Sequence, residues 1–321
     1  MLPNFPTVSF IIPTYNVEKY IKRCLDSIFV QDFPKEKFEV IVADGGSSDR
    51  TLSILGDYNI VLIHNPARDC DDGKFLALNQ AKGEFVALVD SDNIIAASDW
   101  LRQMVQPLME DPSLIGVESN YLIAEDFSSI NVYANLLVIV DPLARMLANH
   151  PSQVELRNGY MVKRYKRGTV PVAGANGFIW RKSVIDAFND KSAGKFAEAN
   201  LLSKIAYVQE IAYANIPNQG IYHYYCITFL DYMRKRRKIA RKFLGRKSRY
   251  EQTWVDQRQT TFFLLCTLYL GTIVGPTIEA VANVWKSRKK EWLWHPVVSF
   301  FTVAIYMYSF LRSVVQSNAK I

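Results

Sequence analysis

The chain has 321 residues, 49% hydrophobic and 21% charged, with a formal net charge of +7. That length allows one enzymatic domain of about 225 residues with a full core, followed by a tail of different character. Four scattered cysteines, Cys24, Cys70, Cys226 and Cys266, have no metal-ligand spacing, and no repeat or low-complexity tract stands out, which excludes a zinc framework and a repeat architecture.

In chain order, Val8–Ile12 reads as a strand, and Val17–Phe29 as a helix because Ile21, Leu25 and Ile28 recur at helical spacing. Phe38–Ala43 and Ile60–His64 read as further strands, Phe75–Ala81 as a helix, and Phe85–Val89 as a buried strand. This alternation predicts an α/β fold, a mostly parallel sheet flanked by helices. Three of these strands end in polar clusters: Pro13-Thr14-Tyr15-Asn16, Asp44-Gly45-Gly46-Ser47-Ser48-Asp49 and Asp90-Ser91-Asp92-Asn93. Open α/β sheets bind ligands beyond the carboxyl ends of their strands, so all three clusters are expected on one edge.

The Asp90-Ser91-Asp92 triplet suits a hard cation, Mg²⁺ or Mn²⁺, which takes one or two protein carboxylates and leaves other positions to a diphosphate. Helix-capping turn residues are the other common use of such a triplet. Gly73-Lys74 is not a phosphate loop, because no Gly lies five residues earlier and Phe75 replaces the required hydroxyl. No G-x-G-x-x-G follows the first strand, so a dinucleotide fold is excluded too. Asp69-Cys70-Asp71-Asp72 reads as a solvated loop ahead of a run that reaches substrate or metal, Asp49 as a contact to nucleotide or a cap for a helix starting near Thr51, and Arg181-Lys182 as a surface pair at a helix start ahead of a reader of acceptor phosphate.

Five ordered segments resemble the inverting family-2 glycosyltransferases, which adopt the nucleotide-sugar-binding glycosyltransferase-A fold. They are Ile11-Ile12-Pro13-Thr14-Tyr15-Asn16, the stretch from Val42 to Thr51, Gly73-Lys74-Phe75-Leu76-Ala77-Leu78-Asn79, Gly83-Glu84 before the acidic triplet, and Gly174-Ala175-Asn176-Gly177-Phe178. The resemblance implies that Pro13, Thr14 and Tyr15 line the nucleotide, that Asp44 accepts a hydrogen bond from the base, and that Lys74 lies near base or diphosphate. It implies further that Asp90 and Ser91 face the ribose and diphosphate, that Asp92 binds the metal with Asp90, and that His223 stands near the diphosphate or metal; a core or interface histidine is the competing reading of His223. Gly174, Ala175 and Asn176 would let backbone approach the sugar or acceptor. Gly45-Gly46 departs from the family's more usual Asp-Gly and leaves Asp44 as the main acidic contact.

Sugar transfer needs the leaving diphosphate neutralised, which a metal does. It also needs the acceptor proton taken by a carboxylate base. The family's base commonly sits in a Glu-Asp pair at a helix start beyond the Gly-Ala-Asn-Gly element. Here that place holds Phe196-Ala197-Glu198-Ala199, so Glu198 is the expected base, with an ordinary first-turn helix carboxylate as the alternative.

From Arg234 to Arg249 there are ten basic residues and no acidic one; without them the formal charge falls from +7 to −3. Interleaved with Leu230, Tyr232, Met233, Ile239 and Phe243, they read as an amphipathic helix on anionic membrane lipids. A nucleic-acid patch competes, but Thr260–Trp285 and Trp292–Val315 follow, and each exceeds the roughly 20 residues of a bilayer span. Trp285, Trp292 and Trp294 mark the headgroup level, and the basic bias puts the catalytic domain on the cytoplasmic face of the cell membrane. Gly275-Pro276, with Glu279 and Asn283, leaves open a re-entrant or interfacial hairpin in place of the first span. Met1–Pro6 lacks a signal-peptide pattern.

The expected division is a catalytic domain over 1–228, a basic interfacial helix and linker over 229–259, and a membrane region with two hydrophobic helices over 260–321. The expected activity is transfer of a single sugar from a nucleotide sugar, a UDP-sugar, to polyprenyl-phosphate or a lipid-linked oligosaccharide, with no nucleic-acid partner. A catalytically silent nucleotide-sugar-binding partner in a membrane glycan-assembly complex is the alternative, motivated by the broken pair at Glu198-Ala199.

Overall fold

A computed structural model describes residues 5–190, 192, 194–244 and 260–318. The chain forms two compact units: Met1–Leu122 with Asn149–His223, and Ile123–Ala148 with Tyr224–Ile321. The second unit therefore takes a mid-chain segment that sequence patterning leaves inside the catalytic domain.

The first unit opens with β1 (Val8–Thr14), α1 (Ile21–Phe29), β2 (Phe38–Asp44), α2 (Thr51–Leu55), β3 (Val61–His64), α3 (Cys70–Gln80), β4 (Phe85–Leu88), β5 (Asn93–Ile95), α4 (Trp100–Glu110) and β6 (Gly116–Leu122). After α5 (Ser129–Leu136) and α6 (Pro142–Leu147) of the second unit, it resumes with β7 (Gln153–Arg157), β8 (Tyr160–Tyr165), β9 (Phe178–Arg181), α7 (Lys182–Phe188), α8 (Glu198–Val208) and β10 (Ile211–His223). The strands form one sheet in the order β3-β2-β1-β4-β9-β6-β10-β8-β7, with β5 on β10.

Strands β3, β2, β1 and β4 are mutually parallel. Beyond them β9 runs antiparallel to β4 and β6, and β10 is parallel to β6 but antiparallel to β8 and β5. The sheet is thus mixed, and the mostly parallel expectation holds only for its N-terminal half. Periodicity reports which side of a strand is buried, not its direction, and the antiparallel strands enter where the pattern had not been divided.

Both faces of β1, β2 and β4 are covered, which is why these strands read as continuous apolar runs, whereas β3 at the edge is largely exposed. Phe10 and Ile12 of β1 pack with Ile21 and Leu25 of α1 and Trp100 and Met104 of α4. Ile11, between them, packs on the other face with Ala77 and Leu78 of α3 and Leu201 and Ile205 of α8. Each such side chain contributes about 1.5–3 kcal/mol of transfer free energy.

The second unit continues with α9 (Phe229–Leu244), α10 (Thr260–Gly271), α11 (Val274–Ser287) and α12 (His295–Asn318). Helix α12 packs against α6, α9, α10 and α11. Helix α9 is not wholly a surface helix. Tyr232, Met233, Arg236 and Ala240 are buried, and among its described basic side chains Arg234, Arg237, Lys238 and Arg241 are exposed. Arg236 Nη1 donates to Asp141 Oδ2 at 2.7 Å, and Asp141 Oδ1 caps α6 through the amides of Leu143 and Ala144 at 2.9 and 3.0 Å. Residues 245–259, with Arg246, Lys247 and Arg249, lie outside the described residues.

The stretch read as a first apolar span is two helices. Leu264–Gly271 and Val274–Ser287 bend by 77° at their break, where Ile273 has φ +63. Gly275 and Pro276 fall in the first turn of α11, where proline is tolerated because the first-turn amides have no partner within the helix. Lys290–Arg312 is long and apolar enough to cross a membrane; the bent pair has the form of a broken span or a re-entrant loop.

Candidate active site

The sheet brings three strand ends together in register. Thr14 lies opposite Asp44 across β1 and β2, one step beyond Pro13 and Ala43. Asp44 is only 3% exposed. Its Oδ1 accepts from Thr14 Oγ1 at 3.0 Å and Ser47 Oγ at 2.6 Å; its Oδ2 accepts from the amides of Gly46 and Ser47, each at 2.8 Å. The carboxylate therefore organises the loop after β2, and a nucleobase donor would share oxygens that are already engaged. Tyr15 projects from the neighbouring loop, 43% exposed, with the Arg68 guanidinium 5.4 Å from its ring centre. An exposed ring with a cation beside it offers a stacking face for a planar base.

At the end of β4, buried Asn93 sets the acidic turn. Its Oδ1 accepts from the Asp90 amide at 3.1 Å, its own amide donates to the Asp90 carbonyl at 2.9 Å, and its Nδ2 donates to Asp92 Oδ1 at 3.2 Å. Ser91 is buried within this turn. Pairing of β5 with β10 sets His223 opposite Asn93, and His223 Nε2 lies 3.7 Å from Asp92 Oδ1. The Tyr121 ring is 5.3 Å from the His223 ring, and its hydroxyl accepts from Asn176 Nδ2 at 2.9 Å. Burial pushes the Tyr121 phenol up, with Asp90 and Asp92 adding to the rise against the Asn176 bond.

Lys74 on α3 is 4% exposed, and its Nζ is 2.5 Å from Glu198 Oε1 and 3.7 Å from Asp90 Oδ1. Burial lowers its pKa, but Asp90, Cys70 and Glu198 outweigh that and hold the ammonium well above its ordinary value. Glu198 opens α8, where the helix dipole favours an anion. Burial raises its carboxyl above the ordinary glutamate value, against the pull of Lys74. Gly174, with φ +100, lies behind it: a Cβ there would come 2.6 Å from the Trp180 ring and 3.1 Å from Glu198 Cβ. The Trp180 indole holds this loop by donating to the Gly174 carbonyl at 2.8 Å. Ala175 and Asn176, the latter at φ +47, complete the loop before β9.

Several sequence readings change. Asp69–Asp72 is not a solvated loop but the start of α3: the Asp69 side chain accepts from the Asp71 amide at 3.0 Å, and Asp72 pairs with Lys195 at 2.8 Å. Arg181 is half-buried rather than a plain surface residue, since its guanidinium donates to the carbonyls of Leu108 and Leu114 at 2.7 and 3.2 Å. Asp49 accepts from the Thr51 and Glu18 amides and so ties the residue that opens α2 to the loop after β1. Tyr121, Arg68, Ser47 and Trp180 were not singled out; only the hydroxyl in the Asp44–Asp49 cluster carried a local signal for any of them.

The residues fit a divalent ion that shares its shell with a substrate. Among the described residues no three histidine, cysteine or acidic side chains group to hold an ion by themselves. Asp92 with His223, and Asp90 with a buried Oδ1 that lacks a hydrogen-bond partner, suit an ion whose other ligands come from a diphosphate.

The model of Glycosyl transferase family 2 matches residues 9–186, more than half of the chain. The chain belongs to this family. Over 93 residues, 27% of this chain, it is 47% identical to the poly(ribitol-phosphate) β-N-acetylglucosaminyltransferase TarS of Staphylococcus aureus, and the match spans 16% of that longer protein. A second relative matches end to end. It is the dolichyl N-acetyl-α-D-glucosaminyl phosphate 3-β-D-2,3-diacetamido-2,3-dideoxy-β-D-glucuronosyltransferase of Methanococcus voltae, 23% identical over 332 residues, 97% of this chain and 98% of that protein. Among solved structures, a Pyrobaculum calidifontis mannosyltransferase in complex with GDP-Man and Mn²⁺ superposes with a TM-score of 0.54 at 17% identity, covering 95% of this chain and 88% of that one. The shared architecture is the glycosyltransferase-A fold.

Proposed function

We propose that this glycosyltransferase moves a single sugar from a UDP-sugar to a lipid-linked acceptor, a polyprenyl-phosphate or a lipid-linked oligosaccharide, at the cytoplasmic face of the cell membrane. The observation that carries the reading is the chain Asp90–Lys74–Glu198 around the buried lysine, which ties the acidic turn after β4 to a carboxylate at the start of α8. The first unit would perform the chemistry and the second would attach to the bilayer.

In this reading Tyr15 and Arg68 receive the base, Thr14 and Asp44 shape the nucleotide loop, and Ser91 and Asp90 face the ribose and diphosphate. Asp92 and His223, with Asp90, would hold Mg²⁺ or Mn²⁺, which when bound neutralises the leaving diphosphate. Glu198 accepts the proton of the acceptor hydroxyl through the oxygen that Lys74 leaves free. As the acceptor oxygen bonds to the anomeric carbon from the face opposite the nucleotide, the bond from that carbon to the diphosphate breaks and the configuration inverts. A positioned base of this kind contributes about 10²–10⁴-fold.

The lipid acceptor is supported by the archaeal relative, whose name specifies a dolichyl phosphate substrate and which matches nearly the whole chain. It is supported also by the length of Lys290–Arg312 and the exposed Arg234, Arg237, Lys238 and Arg241. The test is transfer of labelled sugar from a panel of nucleotide donors into the organic-extractable lipid of membranes that contain the protein. Loss of signal in both Asp92→Asn and Glu198→Gln supports the assignment. Transfer only to water-soluble acceptors overturns the lipid acceptor, and full activity in Glu198→Gln overturns the base.

A further inference from the structure

We propose that Lys74 is a positioning residue: it grips one carboxylate oxygen of Glu198 so that the other faces the acceptor hydroxyl, and it acts on sugar transfer through Glu198 without binding the diphosphate. This rests on the base role of Glu198 given above. A lysine that binds a diphosphate keeps its ammonium open to the ligand. Lys74 is instead buried on α3 with Nζ engaged by Glu198 Oε1 at 2.5 Å, and Asp90 Oδ1 stands on its other side at 3.7 Å. Its charge, between the half-buried carboxylates of Glu198 and Asp90, is then already engaged, and drawing it to a third anion would leave Glu198 uncompensated.

The Lys74 bond helps decide which Glu198 oxygen points where. The backbone is held at the first residue of α8, and the Gly174 backbone closes behind Cβ, where an added methyl would sit 3.1 Å away. The rotations beyond Cβ are not set by either, and one short charged hydrogen bond fixes one oxygen on Lys74. The charged and titratable groups that act on Glu198 come from α3: Lys74 stabilises its anion, whereas Asp71 and burial oppose it. Lys74 and Glu198 are 124 residues apart, so the pair exists only because α3 and α8 pack on the same face of the sheet.

The test uses the full chain in membranes and measures kcat, donor KM and the pH profile of kcat for Lys74→Met, Lys74→Arg, Glu198→Gln and the Lys74→Met/Glu198→Gln pair. Lys74→Met is expected to lower kcat about 10–100-fold, to leave donor KM within about twofold, and to move the acid limb of kcat to higher pH, because Glu198 without its cation protonates more readily. Lys74→Arg restores part of the rate, and the paired variant loses no more than Glu198→Gln alone, as expected for residues that act as a unit. A rise in donor KM with an unmoved acid limb would overturn the proposal and return Lys74 to the diphosphate. If Lys74→Met does not fold, the same split in Lys74→Arg decides. Should Glu198→Gln keep both rate and acid limb, the base reading itself is lost, whatever Lys74 does.

Discussion

Replacing Gly174 by alanine is expected to damage stability and transfer together, by an amount that can be separated into two parts. Gly174 has φ +100, a conformation that costs an L-residue about 1–3 kcal/mol. Its new methyl would also stand 2.6 Å from the Trp180 ring and 3.1 Å from Glu198 Cβ, well inside van der Waals contact, and overpacking of this kind costs about 1–3 kcal/mol more. The sum is about 2–6 kcal/mol. Gly168 provides the control, since it has φ +84 and nothing within 4 Å of an added Cβ. Gly168→Ala pays the backbone strain alone, so the two variants should differ by about 1–3 kcal/mol in urea titrations of tryptophan fluorescence on detergent-solubilised protein. Trp180 donates to the Gly174 carbonyl, so its emission should also shift only in Gly174→Ala. Sugar transfer should fall in Gly174→Ala and persist in Gly168→Ala, because only the former displaces Glu198. Equal stabilities for the two variants would refute the packing argument.

Asp44→Ala removes the acceptor of four hydrogen bonds and should cost about 3–5 kcal/mol, read by chemical denaturation, with Asp44→Asn less severe because one oxygen remains. Arg236→Met should destabilise the second unit by about 3–5 kcal/mol by stranding buried Asp141, while Arg236→Met with Asp141→Asn should recover part of the loss and keep the α6 cap; a paired variant worse than both singles would count against it. Lys74 has a folded pKa above its ordinary 10.5, so its stabilisation is fully present below 10.5 and is lost as pH rises through the higher folded value. Alkaline unfolding followed by fluorescence should therefore retain this contribution to beyond pH 10.5, and Lys74→Met should lack it.

Much of the catalytic unit was legible in the chain itself. Strands buried on both faces read as apolar runs, and three of them ended in polar clusters whose residues then stood in register or close by, as with Thr14 and Asp44. The acidic turn was equally visible, because Asp90, Asp92 and Asn93 are local neighbours whose hydrogen bonds close within four residues. Helix α3 was placed too late, since Asp69 as a cap looks like any acidic loop until its side chain is seen accepting from the Asp71 amide.

Local pattern alone determined the α/β class, the parallel N-terminal half of the sheet, the acidic turn and the apolar run of α12, because periodicity and turn chemistry act over a few residues. Tertiary structure decided what depends on strand order and helix packing. Lys74 meets Glu198, Tyr121 and His223 come together through β6, β5 and β10, Arg236 turns inward to Asp141, residues 123–148 join the second unit, and the first apolar stretch breaks at Ile273. A lysine flanked by glycine and phenylalanine carries no local mark of its partner 124 residues away; only burial, which makes an unpaired charge costly, selects that contact.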